Sequence, residues 1–280
     1  MTDRKIKIVA DSSADLTSLA DFSFASAPLT VITSERQFVD DAGLDVTEMV
    51  DYLKSYKGRS KTSCPNAQDY LTAFSGADEI YCITITAQLS GSYNAACLAK
   101  REYEAKNPGS RVFVMNSLST GAEMALIIDK ICESLRGGAD FDTTVAAAEE
   151  YAKGTGLIFM LESLSNLANN GRVSGIVAKM AGFLGIRLVG RASDRGELEP
   201  MEKCRGAKGA LDGIMNALEK LGYNGGKIYI THCQNVDSAD SLRERILAKY
   251  PSAQTKIYPM RGLTSFYAER GGMIIGFEKK

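Results

Sequence analysis

The chain has 280 residues, room for about two domains that each bury their own core, which excludes a peptide hormone or a disulfide-stapled miniprotein. Its 33 Lys and Arg against 34 Asp and Glu leave a net charge of -1, so no global field draws in nucleic acid or an anionic membrane. The hydrophobic share of 45% and charged share of 24% are those of soluble globular chains, and no stretch reaches the roughly 18 uncharged apolar residues of a membrane span.

Short apolar runs alternate with helical patterns, as in βαβ units on a mostly parallel sheet. The start, Met1 to Lys7, carries no apolar signal core, and the expected location is the cytoplasm. Lys5 to Ala10 reads as a first strand and Asp11-Ser12-Ser13 as the polar loop behind it. Asp45 with Glu48 three residues on forms a capping-box pattern, and Val46, Met49, Val50 and Leu53 recur at helical spacing until Gly58. Thr62-Ser63-Cys64-Pro65-Asn66 precedes a second helical pattern through Ala67, Tyr70, Leu71 and Phe74, which predicts the hydroxyls at a helix amino terminus.

Ile80 to Thr86 is the next strand, followed by Ser90-Gly91-Ser92 and an Ala-rich helix to about Lys106. Arg111 to Met115 repeats the unit, with Asn116-Ser117-Leu118-Ser119-Thr120-Gly121 before a helix from Ala122 to Leu135. One further helix follows, and Gly154-Thr155-Gly156 reads as a hinge or boundary, so the predicted domains are residues 1–154 and 155–280. Beyond it, Leu161, Leu164, Leu167 and Ala168 mark a helix ended by Asn169-Asn170-Gly171, and Arg172-Val173-Ser174 leads into another. Ile176 to Gly190, apolar apart from Lys179 and Arg187, reads as buried helix then strand. Strands are expected at Glu197 to Cys204, Lys227 to Cys233, Gln254 to Met260 and Gly272 to Phe277, with helices near Ala207 to Leu221 and Ser238 to Tyr250. The fold class is α/β: an amino-terminal parallel-sheet domain with helices on both faces, then a second α/β domain.

No phosphate-loop, dinucleotide, H-E-x-x-H or EF-hand pattern is present. Six scattered cysteines form no C-x-x-C pair and read as reduced core residues, while a single histidine, His232, rules out multi-histidine metal sites. The positive signal is a set of hydroxyl clusters at strand ends. Asp11-Ser12-Ser13, Ser90-Gly91-Ser92 and Ser117 to Gly121 gather along the carboxyl edge of a parallel sheet, where ligands bind, and Thr62 and Ser63 add to them. Such a site suits one carboxylate or phosphate; each cluster alone is more often a helix cap or a turn. A rival reading makes the chain a hydrolase of small acyl esters, with Ser92 or Ser119 as nucleophile and His232 as base.

Five ordered motifs carry a resemblance that spans nearly the whole chain: Asp11-Ser12-Ser13-Ala14-Asp15-Leu16, Lys61-Thr62-Ser63-Cys64-Pro65, Leu89-Ser90-Gly91-Ser92-Tyr93-Asn94-Ala95-Ala96, Asn170-Gly171-Arg172-Val173-Ser174, and Gly272 to Phe277. Together they resemble the DegV family. The resemblance implies two α/β domains with one long-chain fatty acid, such as palmitate, buried between them. It further implies a noncatalytic carrier that presents the acid to a separate ATP-dependent fatty acid kinase, with no cofactor, no metal and no stable membrane insertion. Carried over, the carboxylate falls to Thr62, Ser63, Ser90, Gly91 and Ser92; Arg172, Arg205 and His232 become candidate partner or head-group contacts, and Lys203 stands with Arg205.

The chain departs from the family pattern at three places. The H-T-G-P-G stretch near the carboxyl end reads Ala268-Glu269-Arg270-Gly271-Gly272, so the histidine associated with the carboxylate is replaced and His232 matches a different one. Asn116-Ser117 stands for D-S, and Arg187-Leu188 for K-P. Burying a tail of about 14 methylenes contributes on the order of 11 kcal/mol before ordering costs, and each bond to the charged head about 1.5 to 3, so the tail dominates affinity and the hydroxyls fix orientation.

Overall fold

The computed structural model describes residues 4–173 and 185–279. β1 (Ile6–Asp11) pairs in parallel with β2 (Ser23–Ala27) on one side and β6 (Glu79–Thr84) on the other. β7 (Arg111–Asn116) completes a four-stranded parallel sheet of order β2-β1-β6-β7. Every residue of β6 is buried, as expected of a parallel strand covered on both faces. Between β2 and β6 lies a small antiparallel sheet of β3 (Thr30–Ile32), β4 (Gln37–Val39) and β5 (Lys61–Ser63), ordered β4-β3-β5.

Helices α1 (Val46–Ser55), α2 (Ala67–Phe74), α3 (Ser92–Lys106), α4 (Gly121–Arg136) and α5 (Phe141–Lys153) follow the predicted apolar spacing. α2 and α3 set Tyr70, Phe74, Ala96 and Ala99 against Val9, Ile80 and Cys82 on one face of the parallel sheet. On its other face α4 sets Met124, Ile127, Ile128 and Ile131 against Ile8, Ala10, Tyr81 and Ile83.

The second sheet contains β8 (Thr155–Leu161), β9 (Ile186–Ala192), β10 (Leu198–Arg205), β11 (Tyr223–His232), β12 (Gln254–Pro259) and β13 (Met273–Lys279), in the order β10-β9-β8-β13-β11-β12. Only β11 and β12 pair in parallel, so the parallel arrangement expected from the repeated βαβ pattern stops at the first sheet. α7 (Gly206–Lys220) and α8 (Val236–Lys249) cover one face, with Ile214, Leu218, Leu242 and Ile246 on Ile158, Ile228 and Ile230. The other face meets α4, whose Ala122, Ala125 and Leu126 pack with Leu157, Phe159 and Ile274. α4 therefore lies between the two sheets. Its approach is close: a Cβ at Gly276 would sit 2.4 Å from the Glu123 backbone nitrogen, so only glycine fits.

Several expected boundaries shift. Thr62 and Ser63 lie on β5, not in a helix; Asn66 caps α2 through a full capping box with Asp69. At α1 only half of the predicted box forms, Asp45 accepting from the Glu48 amide at 2.9 Å. Gly154 ends α5 and Thr155-Gly156 open the fully buried β8, and Leu161 ends that strand, leaving a helix of only Ser165–Asn169 (α6). The helix expected after Arg172-Val173-Ser174, with the apolar stretch to residue 184, lies outside the described residues. α9 (Gly262–Ala268) has no counterpart in the predicted elements.

Candidate functional site

The loops at the carboxyl ends of β1, β6 and β7 are tied directly to one another. Asp11 accepts from the Ile85 amide at 2.9 Å and from Ser13 Oγ at 2.5 Å, and Ser12 Oγ accepts from the Leu29 amide at 3.1 Å. The Thr86 amide donates to Ser119 O at 2.9 Å and the Ala87 amide to Asn116 Oδ1 at 3.0 Å. The Asp11-Ser12-Ser13 cluster is thus spent on loop structure.

Below these loops, between the sheets, is a cavity of about 310 Å³, a volume at the small end of ligand sites. One end is polar. Thr62 and Ser63 reach it from β5 and Cys64 from just beyond, and Ser90 and Gly91 from just before α3. The two segments touch, since a Cβ at Gly91 would lie 3.0 Å from Cys64 Sγ. Arg172 lines the same end, its Nε donating to Leu89 O at 3.2 Å and Nη1 to Asn170 O. Apolar side chains make up most of the remaining wall, which also includes Thr86, Ser119, Thr120 and Glu197. Leu161, Phe159 and Leu157 of β8 line it at every second position, joined by Leu29, Ile85, Leu198 and Ile274. Gly190 on β9 leaves room for the Phe159 ring, which a Cβ there would meet at 2.2 Å.

α9 closes one side and supplies Leu263, Thr264, Tyr267 and Ala268. Tyr267 OH and Thr62 Oγ1 share a 2.7 Å hydrogen bond across 205 residues of sequence. The start of α9 is fixed by two buried carboxylates: Asp40 accepts from the Gly262 and Leu263 amides at 2.8 Å each, and Asp15 Oδ1 from the Arg261 amide at 2.7 Å and from Thr264 Oγ1. Asp15 Oδ2 is buried without a partner. Burial raises all three carboxyls of this region, Asp11 to about 6 and Asp15 to about 7, with Asp40 also upward; the hydrogen bonds they accept oppose the shift.

Of the residues singled out from sequence, Thr62, Ser63, Ser90, Gly91 and Arg172 come together on the cavity wall. Ser92 does not line it. It is fully buried one residue behind Gly91, beside the Asp11 carboxyl, and its Oγ has no partner at hydrogen-bond geometry. His232 ends β11 away from this wall; its Nδ1 accepts from the Asn235 amide at 3.2 Å and burial lowers its pKa. Arg205 lies exposed at the end of β10, outside the wall. Among the described residues neither candidate serine bonds to His232, and Ser119 Oγ donates instead to Glu123 at 2.5 Å, so the hydrolase dyad is not assembled. The described residues contain no cluster fit for a metal ion and no helix long and apolar enough to cross a membrane. Ala268, which stands where the family pattern has its histidine, lines the wall, while Tyr267 and Thr264 are not expected from sequence because α9 is not; the only local sign is Leu263, Phe266 and Tyr267 at helical spacing after Gly262.

Fold and cavity define a class, that of two-sheet α/β proteins with a largely apolar cavity between the sheets and polar groups at one end. Residues 5–280 match the family model described as "Uncharacterised protein, DegV family", and the chain belongs to the DegV family. It is 41% identical to a DegV domain-containing protein of Streptococcus pneumoniae over 276 residues, 97% of this chain and 98% of that one. Among solved structures, a DegV family protein of Eubacterium eligens loaded with heptadecanoic acid superposes with a TM-score of 0.96 at 41% identity, covering 98% of this chain and all 100% of that one. The Fatty Acid Kinase (Fak) B3 protein of S. pneumoniae loaded with linoleic acid gives 0.96 at 40% identity, covering 99% and 100%.

Proposed function

We propose that this protein is a noncatalytic cytoplasmic carrier that holds one long-chain fatty acid between its two sheets and presents the carboxylate to an ATP-dependent fatty acid kinase. The observation that carries the reading is the division of the cavity: an apolar wall along β8, and hydroxyls, the Gly91 turn and Arg172 at one end. Such a space takes an apolar tail and a small anion, and the tail supplies most of the affinity. Structures of relatives at 40 and 41% identity loaded with linoleic and heptadecanoic acids support it, and the kinase in the name of one supports the partner. The carboxylate sits against Thr62, Ser63 and Gly91. Arg172 faces the same end as head-group or partner contact. We also infer that the two sheets mark two domains divided near residue 154.

The test is a titration of the delipidated protein with palmitate. Replacing both Thr62 and Ser63 by Ala weakens binding by about tenfold or more, the value of one to two hydrogen bonds to a charged group. Unchanged affinity in that double variant contradicts the assigned head-group site.

A further inference from the structure

Of the four side chains that α9 gives to the cavity wall, Leu263 and Ala268 carry no polar atom and Thr264 Oγ1 is committed to Asp15. Tyr267 is different. Its hydroxyl stands 2.7 Å from Thr62 Oγ1, at the polar end. The Arg172 guanidinium is near enough for its charge to favour the ionised phenol, but burial acts more strongly and pushes the Tyr267 hydroxyl above its ordinary value of 10.0. At neutral pH the phenol therefore keeps its hydrogen and can donate it.

Both oxygens of the pair are placed by structure of their own. The Tyr267 ring packs edge-on against the buried Phe266, with centroids 4.8 Å apart, and Asn166 Nδ2 holds the Phe266 carbonyl at 2.8 Å. Thr62 lies on β5, in register with Val31 of β3. Two hydroxyls bring two hydrogens, and the bond between them uses one. A carboxylate only accepts, so the remaining hydrogen is the one it can take. When the acid lies against Thr62, Thr62 donates to it and Tyr267 must donate to Thr62. A hydroxyl that accepts one hydrogen bond while donating another is polarised and holds a charged acceptor more strongly.

We propose that Tyr267 is a positioning residue for the head group: its hydroxyl donates to Thr62 Oγ1, and so directs and strengthens the Thr62 hydrogen bond to the carboxylate of a bound long-chain acid. The inference rests on the carrier reading above. The two hydroxyls come from opposite ends of the chain, 205 residues apart, and meet before any ligand arrives, so the ordering cost is met in folding and not in binding.

Delipidated wild-type, Tyr267→Phe, Thr62→Val and doubly substituted proteins are titrated with hexadecanoic acid and with hexadecan-1-ol, which has the same tail and no charge. Tyr267→Phe keeps the ring and weakens the acid by about threefold to tenfold, while the alcohol changes by about twofold or less. Thr62→Val weakens the acid by at least as much, and the double variant is no weaker than Thr62→Val alone, because Tyr267 acts through Thr62. An unchanged affinity of Tyr267→Phe for the acid, an equal loss for acid and alcohol, or losses that add in the double variant overturns the role of Tyr267 and leaves the carrier reading standing. Failure of the wild type to bind hexadecanoic acid overturns the carrier reading, and this one with it.

Discussion

Asp15 fixes the start of a helix that forms one cavity wall through a single buried carboxyl group. It lies in the left-handed region at φ 60, accepts from the first residues of α9 through one oxygen, and buries the other without a partner. Asp40, Tyr258 and Cys233 surround it, with the Arg261 guanidinium nearer Asp40. Its carboxyl is raised to about 7, so the folded chain keeps a proton that the unfolded chain releases near pH 4. The stability this group contributes is whole below about pH 4 and is lost as pH rises to about 7; Asp11, raised to about 6, adds a loss that is complete sooner. Thermal melts from pH 5 to 8 are therefore expected to show stability falling with pH, and Asp15→Asn to remove the part of the slope above pH 6. A slope that persists there in the variant contradicts this account.

The residues at the polar end of the cavity are legible at this scale because each belongs to a compact local pattern, Thr62-Ser63 before Pro65 and Ser90-Gly91 before a helix. Tyr267 was not legible, since its only mark is a bond to Thr62 made 205 residues away. Ser92 shows the limit of reading by motif: the pattern places it beside Gly91 but not on which side of the wall it falls.

Among the elements, α4 carries the most weight. It was predicted within one residue at each end from its apolar content, yet that content gives no sign that it is shared between two sheets. A helix with Leu126 facing one sheet and Ile127 the other is buried on more than the single stripe of a surface helix. Leu126→Ala is expected to cost about 2 to 5 kcal/mol in denaturant unfolding, the range for a fully buried leucine. Gly276→Ala forces apart α4 and β13 and is expected to cost about 1 to 3 kcal/mol by the same measurement. A change below about 0.5 kcal/mol in either, the usual size for a surface site, contradicts this packing.

β8 was misread for the same physical reason that makes it central. Thr-Gly-Leu-Ile-Phe-Met-Leu is buried at all seven positions, so neither the alternation of a half-exposed strand nor a helical period is present to read. β3, β4 and β5 are three residues each, too short for any periodicity, and what fixes them is their pairing with one another.

For the whole molecule, α4, α9 and the two sheets are held around a cavity, so filling it links ligand to stability. A ligand that binds only the folded chain adds about 2.7 kcal/mol at a hundred times its dissociation constant. The delipidated protein is expected to melt lower than the palmitate-loaded one, with the gap growing with free palmitate; a melting temperature indifferent to palmitate contradicts a site in the folded core. The architecture of two α/β halves followed from the alternation of strand and helix patterns, while the antiparallel order of the second sheet depends on long-range pairing that no local pattern encodes.

The most direct measurement is native mass spectrometry of the protein as purified, followed by extraction and identification of what it holds. The account predicts one long-chain fatty acid per chain. Protein that emerges empty and takes up no added palmitate contradicts it.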